Sequence, residues 1–429
     1  MLEVLEDGSQ QARRRLERLA RRQQVSRSVE PAVRRILEAV RRRGDRALVE
    51  LARKLDGVRL RADQLVVPQE EIEAAASRVD PPVRRAIETA CRRIARFHRA
   101  QRERGFELEE TGVRLGMRLA PLERVGVYVP GGTAAYPSTV LMNVVPAKVA
   151  GVADITVATP PSAGGVRPEV LFAARLAGAT RVVRVGGAQA IAALAYGTET
   201  IARVDKIVGP GNVYVATAKR LVFGAVDIDM VAGPSEVLIV ADGSAPAAYV
   251  AADMLAQAEH DPLAAAICVT TSEELGRQVA AELAEQMARL ARRDVAARSL
   301  RRYGTILKVA SLERAAEVAN AIAPEHLELM VRRPRRWLRL FRNAGAIFLG
   351  PFSAETLGDY AAGPNHVLPT GGTARFASPL GVYDFVKRTS IIEIGRPGLE
   401  RLAAPVLALA QAEGLDAHAA AVRKRMEKE

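Results

Sequence analysis

Residues 123–132 read "ERVGVYVPGG", an apolar, valine-rich run closed by Pro-Gly-Gly. Such a run predicts a buried strand, and the Pro-Gly-Gly predicts the tight turn that ends it. The theme returns at 154–161, "DITVATPP", at 180–187, "TRVVRVGG", and at 204–211, "VDKIVGPG". Between these lie runs of helical periodicity: "PEVLFAARLAGA", "AQAIAALAYG" and "NVYVATAKRLVFG". Short β-rich strands alternating with helices predict a parallel sheet covered by helices. A second series follows in "SEVLIVAD" (235–242), "AAICVTT" (265–271), "GTILKVA" (304–310) and "GAIFLG" (345–350), again with helices between. The fold class is α/β, with two such domains.

Upstream, the residues up to about 105 read mostly as helices, interrupted only by the short strand signal "LVVP" at 65–68. A long helix is expected over 80–105, with Asp80 as N-cap, prolines in its first turn and Gly105 past its end. His98 lies within it among arginines and reads as a surface residue. The last fifty residues, after "LGVYDFVKRTSIIEI", return to short helices with little core of their own, so this tail should pack on something else in an assembly.

The totals narrow the classes. A chain of 429 residues suggests two or three domains. With 49% hydrophobic and 26% charged residues it has globular composition. The net charge of +13 comes mainly from arginines on amphipathic helical stretches such as "RRRLERLARR", without aromatic interleaving or zinc-finger spacing. Nucleic-acid binding is therefore not expected. No apolar run approaches the roughly 18 to 20 residues of a membrane span, and the N-terminus lacks the pattern of a signal peptide. Two cysteines, Cys91 and Cys268, exclude a disulfide framework and fit a reducing cytoplasm.

Three strand-to-helix turns carry glycine, in "YVPGG", "RVGGAQA" and "VGPGNVYV". Glycine there lets backbone approach a ligand, but no turn completes G-x-G-x-x-G and no phosphate-loop G-K-[ST] occurs, so the glycines could equally shape ordinary turns. In "DIDMVAGPSEVLIVAD", Asp227, Asp229 and Ser235 could line a cleft or cap neighbouring backbone. The histidines are sharper. "LAQAEHDP" puts Gln257 and His260 at i and i+3 on a helix that Pro262 must end. "APEHLEL" puts Glu325 and His326 between a helix and a strand, "GDYAAGPNHVLPTGG" holds Asp359 and His366, and "QAEGLDAHAAA" holds Glu413 and His418. Four of the five histidines, all but His98, lie in such motifs. Singly each reads as structural; together they suggest a site built from distant segments, able to hold a cation through oxygen and imidazole or to do acid–base work.

These motifs resemble the histidinol dehydrogenase family. The run "DIDMVAGPSEVLIVADGSAPAAYVAADMLAQAEHD" is similar to that family's signature, and "YVPGG", "VGPGN", "APEHLEL" and "GDYAAGPNHVLPTGGTARF" are similar to its other landmarks, in order. The resemblance implies two NAD-dependent oxidations, of L-histidinol to L-histidinal and then to L-histidine. It implies one zinc per subunit on Gln257, His260, Asp359 and His418. Glu325 and His326 would be the catalytic pair, with Ser235, His366 and Glu413 also at the substrate beside the zinc residues. Tyr128, Gln189 and Asn212 would line the NAD site. It further implies a homodimer with shared active sites, His418 and Glu413 reaching the other subunit, and no nucleic-acid or membrane partner.

The expected architecture is two incomplete Rossmann-like domains with parallel sheets, plus a helical N-terminal region and a C-terminal dimerisation arm. Boundaries are expected at 1–25 for an N-terminal helical arm and at 26–128 with 237–379 for a discontinuous metal and catalytic domain. An inserted cofactor domain should cover 129–236, and the arm 380–429. Two rivals remain at this point: a dehydrogenase of the same family for another alcohol, such as a sulfonated diol, and a zinc hydrolase using Glu325. Neither cysteine is placed for thiolate chemistry.

Overall fold

The opening stretch forms the strand Arg124–Tyr128, which lies at the centre of a five-stranded parallel sheet in the computed structural model. The structure describes residues 2–21, 27–131, 136–162 and 164–427. From edge to edge the sheet runs Arg181–Arg184, Asp154–Thr159, Arg124–Tyr128, Lys206–Val208, Asp227–Ile228. Gly126 interrupts the valines of its central strand because a Cβ there would come within 2.8 Å of the Leu194 side chain on the covering helix Gly187–Tyr196.

A second parallel sheet has six strands, in the order Val4–Glu6, Thr305–Lys308, Ala265–Thr270, Glu236–Ala241, His326–Met330, Ala346–Leu349. Setting aside the N-terminal edge strand, its order in chain sequence is 3-2-1-4-5, and the five-stranded sheet has the same order. That is the doubly wound arrangement with its sixth strand missing. Every residue of Glu236–Ala241 and Ala265–Thr270 is buried. Val237, Ile239, Ala266, Cys268 and Ile306 face one helical layer; Leu238, Val240, Ile267, Val269 and Leu307 face the other. Strands covered on both faces need apolar residues at every position, which explains why they read as continuous runs.

Both sheets belong to one unit, Met1–Gln101 with Leu122–Phe385. Its strand membership differs from the boundaries expected from sequence. Arg124–Tyr128 joins the strands after it, not the segment 26–128. The helix Glu30–Leu51 also packs on the five-stranded sheet's helices, because its stripe of Val33, Leu37, Val40 and Leu48 shares a core with Ile191, Leu194 and Val215. "LVVP" contributes a single bridge, Val66 to Val183. The helix Pro81–Arg99 forms, but Asp80 makes no side-chain capping bond. His98, expected at the surface, is fully buried: it continues the stripe of Ile87, Ala90 and Ile94, and its Nδ1 lies 2.7 Å from Gln101 Oε1. The flanking arginines hid that spacing.

The second unit, Arg102–Pro121 with Val386–Glu429, is a three-stranded antiparallel sheet and two helices, Arg396–Ala412 and Asp416–Met426. Its strands are Val386–Ile394, Val113–Pro121 and Phe106–Glu110, with Ser390 opposite Met117. The segment 380–429, expected to be a helical arm, is therefore only partly helical: residues up to Phe385 belong to the first unit, and a nine-residue strand, Val386–Ile394, pairs with a partner far upstream before the helices begin. Within this chain Phe106, Leu108 and Ile392 are 52%, 59% and 69% exposed, so the sheet buries little of its apolar surface. Among the described residues no helix is long and apolar enough to cross a membrane.

Candidate active site

One cleft gathers Ser235, Gln257, His260, Glu325, His326, Asp359 and His366. Most of them sit where strands of the six-stranded sheet begin. Ser235 precedes Glu236–Ala241, and Glu325 precedes His326–Met330. The helix Ala247–Ala258 delivers Gln257; it stops four residues short of Pro262, so His260 lies in the turn beyond it and not on the helix. Ala323 (φ 51°) ends the preceding helix in a left-handed conformation and turns the chain so that Glu325 enters the cleft. Asp359 lies in a π-helical turn, Gly358–Ala362.

His326 is the centre of this group. Its Nδ1 lies 3.3 Å from the Glu236 carbonyl, 3.5 Å from Glu355 Oε1 and 4.0 Å from Glu325 Oε2, and its Nε2 lies 3.7 Å from Asp359 Oδ1. A carbonyl only accepts, so Nδ1 carries a proton and Nε2 faces Asp359. Burial alone would make this imidazole hard to protonate, but the surrounding Glu355, Glu325 and Asp359 carboxylates outweigh it and hold its pKa well above the usual histidine value. Burial raises Glu325, against the pull of His326 and a hydrogen bond with Ser235. Burial also acts on Asp359, but the neighbouring His326, His366 and His260 bring it below the usual carboxylate value.

Behind His326 is a buried carboxyl stack. Glu355 donates its backbone N–H to Glu328 Oε1 at 3.0 Å, and Glu328 is also bonded to Asp253. Burial first, then mutual repulsion, pushes Glu328 up to about 9 and Glu355 to about 8.

Two donor sets could take a cation, and they share Asp359. The ligand atoms of His326, Glu355 and Asp359 lie within 4.8 Å of one another. The set implied by resemblance uses Gln257, whose Oε1 is buried without a hydrogen-bond partner. A buried amide oxygen left unpaired is costly unless a ligand completes it, so Gln257, His260 and Asp359 fit an oxygen- and nitrogen-liking cation such as zinc.

The residues implied for the cofactor lie at the opposite kind of edge, where strands of the five-stranded sheet end. Tyr128 closes its strand, and its hydroxyl accepts from Gly187 N–H at 3.1 Å. Gln189 follows in the first turn of the helix Gly187–Tyr196. Asn212 caps the helix Val213–Val222, its Oδ1 accepting from Tyr214 and Val215 N–H, which leaves its NH2 for a ligand. The "VGPGN" turn is held from behind by a buried ion pair. Lys219 bonds Asp229 and donates to the Gly209 carbonyl at 2.9 Å, while Asp229 accepts the Gly209 N–H at 2.8 Å. Gly209 sits at φ 111°, and a Cβ there would meet the Tyr128 carbonyl at 2.1 Å, so only glycine fits. Asp229 is therefore a turn clamp, and Asp227 pairs with buried Lys206 at 3.0 Å.

His366 is placed by a proline. Pro146 lies inside the helix Pro137–Ala150 and has no N–H for the Met142 carbonyl one turn back. Asn365 Nδ2 donates to that carbonyl at 2.6 Å, and Asn365 Oδ1 accepts the Val367 N–H at 2.8 Å. His366, held between them, bonds through Nδ1 to the Asp359 carbonyl at 2.9 Å, leaving Nε2 as its free acceptor.

Glu413 ends the helix Arg396–Ala412 and His418 lies in Asp416–Met426, both exposed on the second unit. Cys268 is fully buried with its thiol pushed up to about 12, and burial raises Cys91, so neither is a ready thiolate. Sequence reasoning missed Glu355, Lys219 and Asn365. Glu355 was within reach, four residues before Asp359 in "AETLGDY", and Lys219 interrupts the buried stripe of Val215, Ala218 and Val222.

The family model for histidinol dehydrogenase matches residues 19–426. The chain is 56% identical over 414 residues to the histidinol dehydrogenase of Aquifex aeolicus (strain VF5), covering 96% of each. It is 55% identical to that of Syntrophotalea carbinolica over 95% of each chain. Its fold superposes on the crystal structure of histidinol dehydrogenase from Elizabethkingia anophelis with a TM-score of 0.93 at 36% identity, covering 99% of this chain and 98% of that one. An oxidoreductase is what the site and the comparisons together describe: the chain belongs to the histidinol dehydrogenase family.

Proposed function

We propose that the chain oxidises L-histidinol through L-histidinal to L-histidine in two NAD-dependent steps. The observation that carries this reading is His326: a buried imidazole among three carboxylates, in the cleft that also holds the unpaired Gln257 oxygen and Ser235. Zinc, on Gln257, His260 and Asp359 with His418 of a second copy, would supply charge and orientation for the substrate's imidazole and amine. A cation on Asp359 would remove one of the charges that hold a proton on His326, bringing the imidazole back to a range where it can act as base. Tyr128, Gln189 and Asn212 would hold NAD, which would supply the hydride acceptor for both oxidations.

In the first step the substrate hydroxyl gives its proton to His326 Nε2 as hydride leaves the carbinol carbon, forming the aldehyde. Glu325, raised by burial, then takes a proton from water as the water oxygen bonds to the aldehyde carbon, and protonated His326 returns its proton to the aldehyde oxygen, which gives the hydrate and frees the imidazole. The hydrate gives a second proton to His326 as its hydride leaves, and the acid forms. Ser235, bonded to Glu325, keeps that carboxylate turned to the water. His366 and Glu413 contact the substrate.

The exposed apolar strands of the second unit, and the exposure of Glu413 and His418, support a homodimer whose C-terminal arms complete each other's sites. Two free cysteines fit a reducing, cytoplasmic location. The test is stoichiometry: NADH formed per histidinol consumed should approach two, and no NADH would sink the reading. For the arm, inactive His418→Asn and Glu325→Gln chains should regain activity when mixed; none after verified subunit exchange would mean each site is built from one chain.

A further inference from the structure

The cofactor edge carries a carboxylate that the reading above does not use. Asp56 ends the π-helical turn Ala52–Asp56, which follows the helix Glu30–Leu51, and Gly57 turns the chain away in a left-handed conformation. Its Oδ2 lies 3.4 Å from Gln189 Nε2. It is also close enough to Tyr128 for its charge to oppose ionisation of that phenol, whose hydroxyl bonds Gly187. Asp56 therefore stands with two of the three residues implied for NAD. It is half-buried, and burial raises its pKa against the single opposing contact from Gln189. Among the described residues no cation forms an ion pair with it.

The topology says what such a group could do. In a doubly wound sheet of this order the dinucleotide lies across the carboxyl edge, and an acid near the end of the second strand takes the adenosine ribose hydroxyls. Here the second strand, Asp154–Thr159, ends in Thr159-Pro160-Pro161-Ser162, with no acid. Two prolines and two hydroxyls cannot replace a paired acceptor. A carboxylate brought from outside the sheet can.

We propose that Asp56 accepts the ribose 2′-hydroxyl of the adenosine half of NAD, with Gln189 holding its carboxylate in place, and that it excludes the 2′-phosphate of NADP. The inference rests on NAD being the cofactor of this site. A carboxylate is acceptor-only when ionised, so a vicinal diol satisfies it and a phosphate dianion repels it.

The test uses the full-length, metal-loaded enzyme with histidinol, and compares wild type with Asp56→Asn and Asp56→Ala. For both variants KM for NAD should rise by about tenfold or more, the worth of one charge-assisted hydrogen bond, and by more than any fall in kcat. The kcat/KM preference for NAD over NADP should shrink by a similar factor. NAD lacking only the adenosine 2′-hydroxyl should be a poorer cofactor than NAD for wild type and an equal one for Asp56→Ala. If wild type makes no NADH, the cofactor assignment itself falls. If wild type is active but the variants keep both its NAD preference and its sensitivity to the 2′-hydroxyl, the role of Asp56 alone is overturned. A variant that loses kcat and thermal stability while keeping those two ratios would mark Asp56 as structural, and would overturn it equally.

Discussion

The two parallel sheets share one strand order but use opposite edges. The five-stranded sheet presents its carboxyl edge, where helices begin; the six-stranded sheet presents its amino edge, where helices end. At the carboxyl edge the groups are backbone N–H, amide and hydroxyl, with helices Gly187–Tyr196 and Val213–Val222 starting there. At the amino edge they are imidazoles and carboxylates, with the helix Ala247–Ala258 finishing beside Gln257 and His260. Helix starts favour anions and helix ends favour cations. The same topology therefore offers one edge suited to a pyrophosphate and another suited to a metal ion and an amine.

The contrast can be broken at either edge. The largest effect is expected at the amino edge: His326→Asn should lower kcat by about a thousandfold, within the usual range for a general base. Direct titration should show NAD binding unchanged, and a parallel loss of NAD affinity would mean that the two edges are not separable. Next, Lys219→Met leaves Asp229 charged and unpaired in a buried turn. It should cost about 3–5 kcal/mol in denaturant unfolding and raise KM for NAD more than KM for histidinol. Equal effects on both would show the clamp serving the whole molecule.

A smaller effect is expected from Asn365→Ala, which frees His366 and leaves the Met142 carbonyl unpaired. We expect about a tenfold fall in kcat/KM for histidinol at saturating NAD, with a stability loss of about 1–2 kcal/mol. Smallest is Glu328→Gln. A carboxyl whose folded pKa is raised to about 9 stabilises the fold fully below the unfolded value near 4.5, and that contribution is lost as pH rises through the folded value. The neutral amide escapes this loss, so its melting temperature should exceed wild type by about 2–4 °C near pH 8 and converge with it below pH 4.5. No gain at pH 8 would show that the stack tolerates charge.

Strand positions were legible because buried parallel strands are apolar throughout, and "EVLIVA" or "AAICVT" needs no partner to be recognised. The edge each site would use was not. Glu325 and His326 could be seen at an element boundary, but which boundary depends on the direction of strands paired across the sheet. The strand Val386–Ile394 was missed for a related reason: its partner, Val113–Pro121, alternates regularly through Val113, Leu115, Met117 and Leu119 but lies far upstream, and nothing local to either segment announces the pairing. His98 shows the local version, where one buried position was masked by charged neighbours pointing elsewhere. The metal and catalytic candidates were legible through motif resemblance; Glu355, Lys219 and Asn365 act through other residues and carry no motif of their own.

The proline in the helix Pro137–Ala150 has a consequence for assembly. The Met142 carbonyl cannot be satisfied by its own helix, and its donor is 223 residues away. During synthesis that helix emerges early and must keep water on this carbonyl until residue 365 has been made and the second sheet is largely in place. Exchange of that water for Asn365 is thus a late event, and it seats His366 in the same movement. One missing N–H thus ties two distant stretches of the chain together: the helix Pro137–Ala150 completes this hydrogen bond only after residue 365 has been made.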